Sequence, residues 1–68
     1  MIVSDLIKEL QKLPSTMRVV KAGYEGGYSD ITMIESIPIK LNQNTSWWYG
    51  KHEECNPDIS DEIALKIW

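Results

Sequence analysis

A chain of 68 residues has room for one domain, and a single core of that size rarely supplies more than ~3–5 kcal/mol. The lone Cys55 excludes an internal disulfide and no cluster of ligands has structural-zinc spacing, so self-association into a homo-oligomer is the expected support. A formal net charge of -3 excludes a protein that coats DNA or RNA, which needs a continuous basic surface to displace counterions.

The start, MIVSDLIKEL, has neither a basic stretch followed by an apolar one nor any approach to the ~18 apolar residues of a membrane span, and a cytosolic chain is expected. Ser4 can cap a helix, Asp5 suits its first turn, and Leu6, Ile7, Leu10 and Leu13 fall on one face before Pro14 stops it. Between Met17 and Ala22, Arg18-Val19-Val20 reads as a short strand, and Gly23 to Asp30 as a loop. From Ile31 to Leu41 a longer strand is expected, with Ile31, Met33, Ile37, Ile39 and Leu41 on one parity. Glu35 breaks that parity and Pro38 cannot donate to a ladder, so a bulge or a sheet edge is expected there. Asn42 to Pro57 fits no periodic template. Ile63, Leu65 and Ile67 alternate with Ala64, Lys66 and Trp68 as a final strand. The order α-β-β-β, without repeat or linker, predicts an α+β fold in which one N-terminal helix packs on a small antiparallel or mixed three-stranded sheet, with residues 1–68 as a single ligand-binding domain.

Residue types are segregated along the chain. The glycines lie at Gly23, Gly26, Gly27 and Gly50, and five of the six aromatics, Tyr24, Tyr28, Trp47, Trp48 and Tyr49, lie in or beside the same two segments. Large rings normally add most to a core when they are inside it, so their position beside glycines points to a surface task. Gly26-Gly27 lets backbone amides approach an anion, and flat rings stack on bases for ~1–3 kcal/mol each. Arg18 and Lys21 precede the first loop, while Lys51 and His52 follow the second. Together these groups describe a nucleotide site. The competing account has the aromatics plugging the edges of a thin sheet against a neighbouring subunit, since such anchors also dominate protein interfaces.

Catalysis has little support. Glu25 could act as a general base, but its commoner role is as a hydrogen-bond acceptor, and Cys55 with His52 is a nucleophile and base in composition only. His52-Glu53-Glu54-Cys55 has metal-binding atoms without a known spacing, so neither metal nor cofactor is expected. Gly23–Gly27 is neither a Walker loop nor a dinucleotide fingerprint.

The run Val19-Val20-Lys21-Ala22-Gly23-Tyr24-Glu25-Gly26-Gly27-Tyr28-Ser29-Asp30-Ile31, with Leu13-Pro14 before it and Trp48-Tyr49-Gly50-Lys51-His52-Glu53 after it, resembles a group of small phage-encoded proteins sharing a G-Y-E-G-G-Y-x-D loop. That group is identified as including a phage anti-CBASS sponge, a protein that sequesters cyclic dinucleotide signals of bacterial antiphage immunity. The resemblance implies immune evasion in the host cytoplasm, by binding a cyclic dinucleotide such as 3′3′-cGAMP without cleaving it, in an oligomer such as a tetramer. It maps Tyr24, Glu25, Gly26, Gly27 and Tyr28 to the motif loop and Trp48, Tyr49, Lys51 and His52 to the second. The double tryptophan and Lys51 depart from the tyrosine and proline expected in relatives. A phage accessory protein that blocks a host protein through the aromatic loops is the alternative.

Overall fold

Helix α1 occupies Val3–Leu10 in the computed structural model, which describes every residue from Met1 to Trp68. Its N-cap is Ile2 and not Ser4. Ile2 offers no side-chain acceptor, and the compensation comes from Asp5, whose Oδ2 accepts the Ile2 N–H at 3.0 Å and whose charge suits the positive end of the helix dipole. The last turn tightens ahead of Pro14: the N–H groups of Lys12 and Leu13 donate to the carbonyls of Glu9 and Leu10, the i→i+3 pattern by which helix ends satisfy stranded groups. No residue of α1 is buried, and Ile7 and Leu10 are each 48 % exposed.

The structure has the α+β character that the residue pattern predicts, with five strands in place of three, arranged as two small antiparallel sheets. It divides into two compact units, residues 1–32 and 33–68. In the first, β1 (Val20–Ala22) and β2 (Tyr28–Asp30) form a hairpin that pairs Val20 with Asp30, Lys21 with Ser29 and Ala22 with Tyr28. The segment expected as a loop from Gly23 to Asp30 is therefore a turn followed by a strand. Glycine is demanded by the turn itself. Gly26 and Gly27 have φ of +144° and +65°, and a Cβ on Gly23 would collide with the Gly26 carbonyl oxygen just where the Gly23 N–H donates to the Gly27 carbonyl at 3.0 Å.

In the second unit β3 (Ile34–Lys40) lies between β4 (Glu53–Glu54) and β5 (Glu62–Ile67). Pro38 sits where this strand changes from edge to centre. Its carbonyl accepts the Cys55 N–H at 3.1 Å, but it has no N–H to return, and β4 pairs only with Ile39 and Lys40. Before Pro38, β3 pairs with β5 alone. A short 3-10 turn at Pro57–Ile59 joins β4 to β5, with Asn56 Oδ1 accepting from the Asp58 N–H at 3.0 Å.

Register decides which face is covered. Glu35, Ile37 and Ile39 share a face with Lys66, Ala64 and Glu62, and Ile39, 9 % exposed, is the one buried residue of the chain. Glu35, the parity breaker, is accommodated on this face because its Oε1 accepts from Trp68 Nε1 at 3.2 Å. It stands opposite Lys66, whose ammonium lies 3.1 Å from the centre of the Trp68 ring. The opposite face carries Ile34, Ser36 and Pro38 against Ile67, Leu65 and Ile63, so the apolar parity of the final strand points to solvent. No helix is long and apolar enough to cross a membrane.

Candidate functional site

The candidate residues Arg18, Lys21, Tyr24, Glu25, Gly26, Gly27 and Tyr28 belong to the first unit. The hairpin register separates its two cations. Arg18 Nη1 donates to Asp30 Oδ1 at 2.9 Å, and Asp30 shares a face with Val20, Ala22 and Tyr28, whereas Lys21 points to the other face opposite Ser29. Lys21 makes no ion pair and stays available for an anion, while Arg18 already has a carboxylate partner. Tyr24 and Glu25 occupy the tip between the constrained glycines. Tyr24 is 99 % exposed and Tyr28 is exposed as well.

Trp47, Trp48, Tyr49, Lys51 and His52 belong to the second unit, in a loop whose base is laced by hydrogen bonds. The N–H groups of Gln43 and Asn44 both donate to the Lys51 carbonyl, at 2.9 and 3.1 Å. Asn44 Nδ2 donates to the Gly50 carbonyl at 2.6 Å and to Glu53 Oε1 at 2.8 Å, satisfying both amide protons at once. The Asn42 N–H donates to His52 Nδ1 at 3.0 Å. Asn42 has a φ of +56°, a conformation asparagine tolerates better than most residues. While Nδ1 accepts that bond, the proton of the neutral ring is on Nε2, which is left as a donor.

At the head of this loop the Tyr49 N–H donates to the Ser46 carbonyl at 3.1 Å, closing a β-turn with Trp47 and Trp48 as its central residues. Trp47 is consequently 90 % exposed and Trp48 70 %. Their rings meet edge to face, 5.7 Å between centres at 89°. That arrangement offers separate stacking faces and not the parallel slot of a base sandwich. Beside it, Gln43, Asn44, Thr45, Ser46 and Tyr49 line a shallow hollow of about 270 Å³. The first four of these were not among the residues singled out from sequence, although the amide-rich run Asn42 to Asn44 next to an aromatic segment was the available signal.

One carboxylate at the foot of the loop is tuned. Asp61 Oδ2 accepts the Leu41 N–H at 2.8 Å, and this bond holds its carboxyl below the ordinary aspartate value; partial burial opposes the shift and Lys40, 3.4 Å away, supports it. No three His, Cys, Asp or Glu side chains converge as a metal would require. The groups that do gather here are suited to stacking, to donating hydrogen bonds and to attracting an anion through Lys51. No protein-family model, curated protein or solved structure matches this chain.

Proposed function

We propose that the chain is a binding protein that holds a flat, anionic nucleotide signal without transforming it, and that its role is that of a phage sponge for a cyclic dinucleotide such as 3′3′-cGAMP. The observation that carries the binding reading is the pair of exposed indoles fixed at the centre of a turn by an internally bonded loop, since water-exposed rings held in place lose little freedom when a base stacks on them. The side-chain carbonyls of Gln43 and Asn44 and the hydroxyls of Thr45 and Ser46 offer polar contacts beside the stack, and Lys51 and the Nε2 of His52 suit a phosphate. The cyclic dinucleotide in particular follows from the sequence resemblance. Because the two indoles are perpendicular, each base is stacked on one side by this loop, and enclosure comes from a further protomer of a homo-oligomer.

The test is a titration of cyclic dinucleotides, linear dinucleotides and cyclic ADP-ribose isomers, followed by intrinsic fluorescence and melting temperature. A selective response among the cyclic dinucleotides is expected, together with recovery of intact nucleotide after heating the complex. Silence across the panel overturns the reading.

The 90 % exposure of Trp47 and the openness of the hollow beside it favour a second reading, in which the loop anchors a host protein as an inhibitor. A lysate protein captured by the wild type, lost on replacing Trp47, Trp48 and Tyr49 by alanine and unaffected by nucleotides, would decide for it.

A further inference from the structure

We infer that His52 is a proton-operated latch for the loop that carries Trp47 and Trp48, closing its foot while the imidazole is neutral and releasing it when the ring takes up a proton. The inference rests on hydrogen bonds within residues 33–68 and is independent of what the loop binds. Three consecutive N–H groups at the start of the loop each have a different kind of acceptor. The Leu41 N–H donates to Asp61 Oδ2 at 2.8 Å, the Asn42 N–H to His52 Nδ1 at 3.0 Å and the Gln43 N–H to the Lys51 carbonyl at 2.9 Å. In the middle of this row Asn42 is held in the left-handed region, with φ of +56°. Only one of the three acceptors can be switched off near neutral pH. A carbonyl does not titrate, and Asp61, whose carboxyl the Leu41 N–H holds below the ordinary aspartate value, stays ionised there. Histidine is the side chain that changes charge between about pH 5 and 8.

A proton on Nδ1 occupies the lone pair that accepts from Asn42, so the Asn42 N–H then meets a second donor. Nε2 carries a proton in both states, and the loss is confined to the latch. No ion pair offsets it. The charged side chains of the elements that meet here are Lys51 in the loop, Lys40 at the end of β3, Glu53 and Glu54 of β4, and Asp61 and Glu62 where β5 begins. None of these carboxylates pairs with the imidazole: Asp61 is 3.4 Å from Lys40, and Glu53 Oε1 accepts from Asn44 Nδ2. The bond therefore belongs to the neutral ring alone. Its contribution is full at the alkaline end of the histidine range and is lost as the pH falls through that range. Its loss leaves the Asn42 N–H without a partner and Asn42 free to leave the left-handed region, while Gln43 and Asn44 alone tie that arm of the loop to Gly50, Lys51 and Glu53. The indoles at the head of the loop gain freedom as a result.

His52 is the one histidine of the chain, so a single imidazole resonance reports its charge. Proton and nitrogen NMR on the full chain, from about pH 8 down to about pH 5, should show the Asn42 amide proton moving upfield along the same curve as the His52 ring. Near-ultraviolet circular dichroism should lose indole signal along that curve. In His52→Asn the side-chain Oδ1 stands in for Nδ1 as an acceptor that does not titrate, and the indole signal should be the same at both ends of the range. An Asn42 amide that ignores the titration of the ring overturns the inference, and that measurement on the wild type holds even where the variant fails to fold. An indole signal that the acid leaves unchanged in the wild type overturns it too, as does one that falls equally in His52→Asn.

Discussion

Gly23, Gly27 and Gly50 stand in the same two aromatic segments but answer to different constraints. At Gly23 the added Cβ meets a backbone carbonyl, so Gly23→Ala forces the turn open and should cost about 1–3 kcal/mol. Gly27 needs φ of +65° but has open space, so Gly27→Asn should be milder than Gly27→Val, because asparagine enters the left-handed region more easily than a β-branched residue. Gly50 has neither constraint, and Gly50→Ala is expected to be neutral or stabilising by up to about 1 kcal/mol. Urea denaturation of the four variants checks the order. The segregation of glycines and rings was legible from sequence, but its cause was only half so: the first three glycines are explained by the hairpin, which leaves Tyr24 and Glu25 as the residues there that folding does not require.

At the level of elements, the loop carrying the indoles depends on Asn44. Asn44→Asp removes both donors to Gly50 and Glu53 and sets one carboxylate against another, and should cost about 1–3 kcal/mol and loosen the edge-to-face pair, read as a loss of near-ultraviolet circular dichroism. Asp61 ties Leu41 and Lys40 to the start of β5. Its carboxyl is held below the ordinary value in the folded chain, so its stabilising contribution is full above about pH 4 and is lost as the pH falls through the lowered folded value. The difference in melting temperature between the wild type and Asp61→Asn should therefore shrink on acidification from pH 5 to pH 2. A constant difference would mean that the carboxylate charge is not what holds the loop.

The long strands and the helix were visible in the sequence because their periodicity extends over several residues, and the proline at 38 marked the end of one ladder. The three-residue β2, Tyr-Ser-Asp, and the two-residue β4, Glu-Glu, were not, since neither has a period to read and both are polar. Helix capping by Ile2 with help from Asp5 was hidden by the more usual signal at Ser4. Nor did the apolar alternation of β5 reveal which way it faces, because a sheet buries the parity that its register selects. Pairing of Ile63, Leu65 and Ile67 with the Ile34 side of β3 left Ala64 and Lys66 on the covered side.

For the molecule as a whole, a single buried side chain, Ile39, is a slender core for 68 residues. If copies cover one another, folding and association are linked by mass action, and the melting temperature should rise with protein concentration over the range from about 1 to 100 μM. Denaturant slopes should move in the same direction as the area released. A melting temperature independent of concentration would mean that each chain is sufficient to itself.

The first hairpin has a practical consequence of its own. Its shape is written in Gly23, Gly26 and Gly27, while Tyr24 and Glu25 at the tip have ordinary backbone angles and no bonded partner. Those two positions thus form an exchangeable cassette: a library randomised there would sample recognition with the scaffold held constant, and selection from it would report directly on what the tip touches.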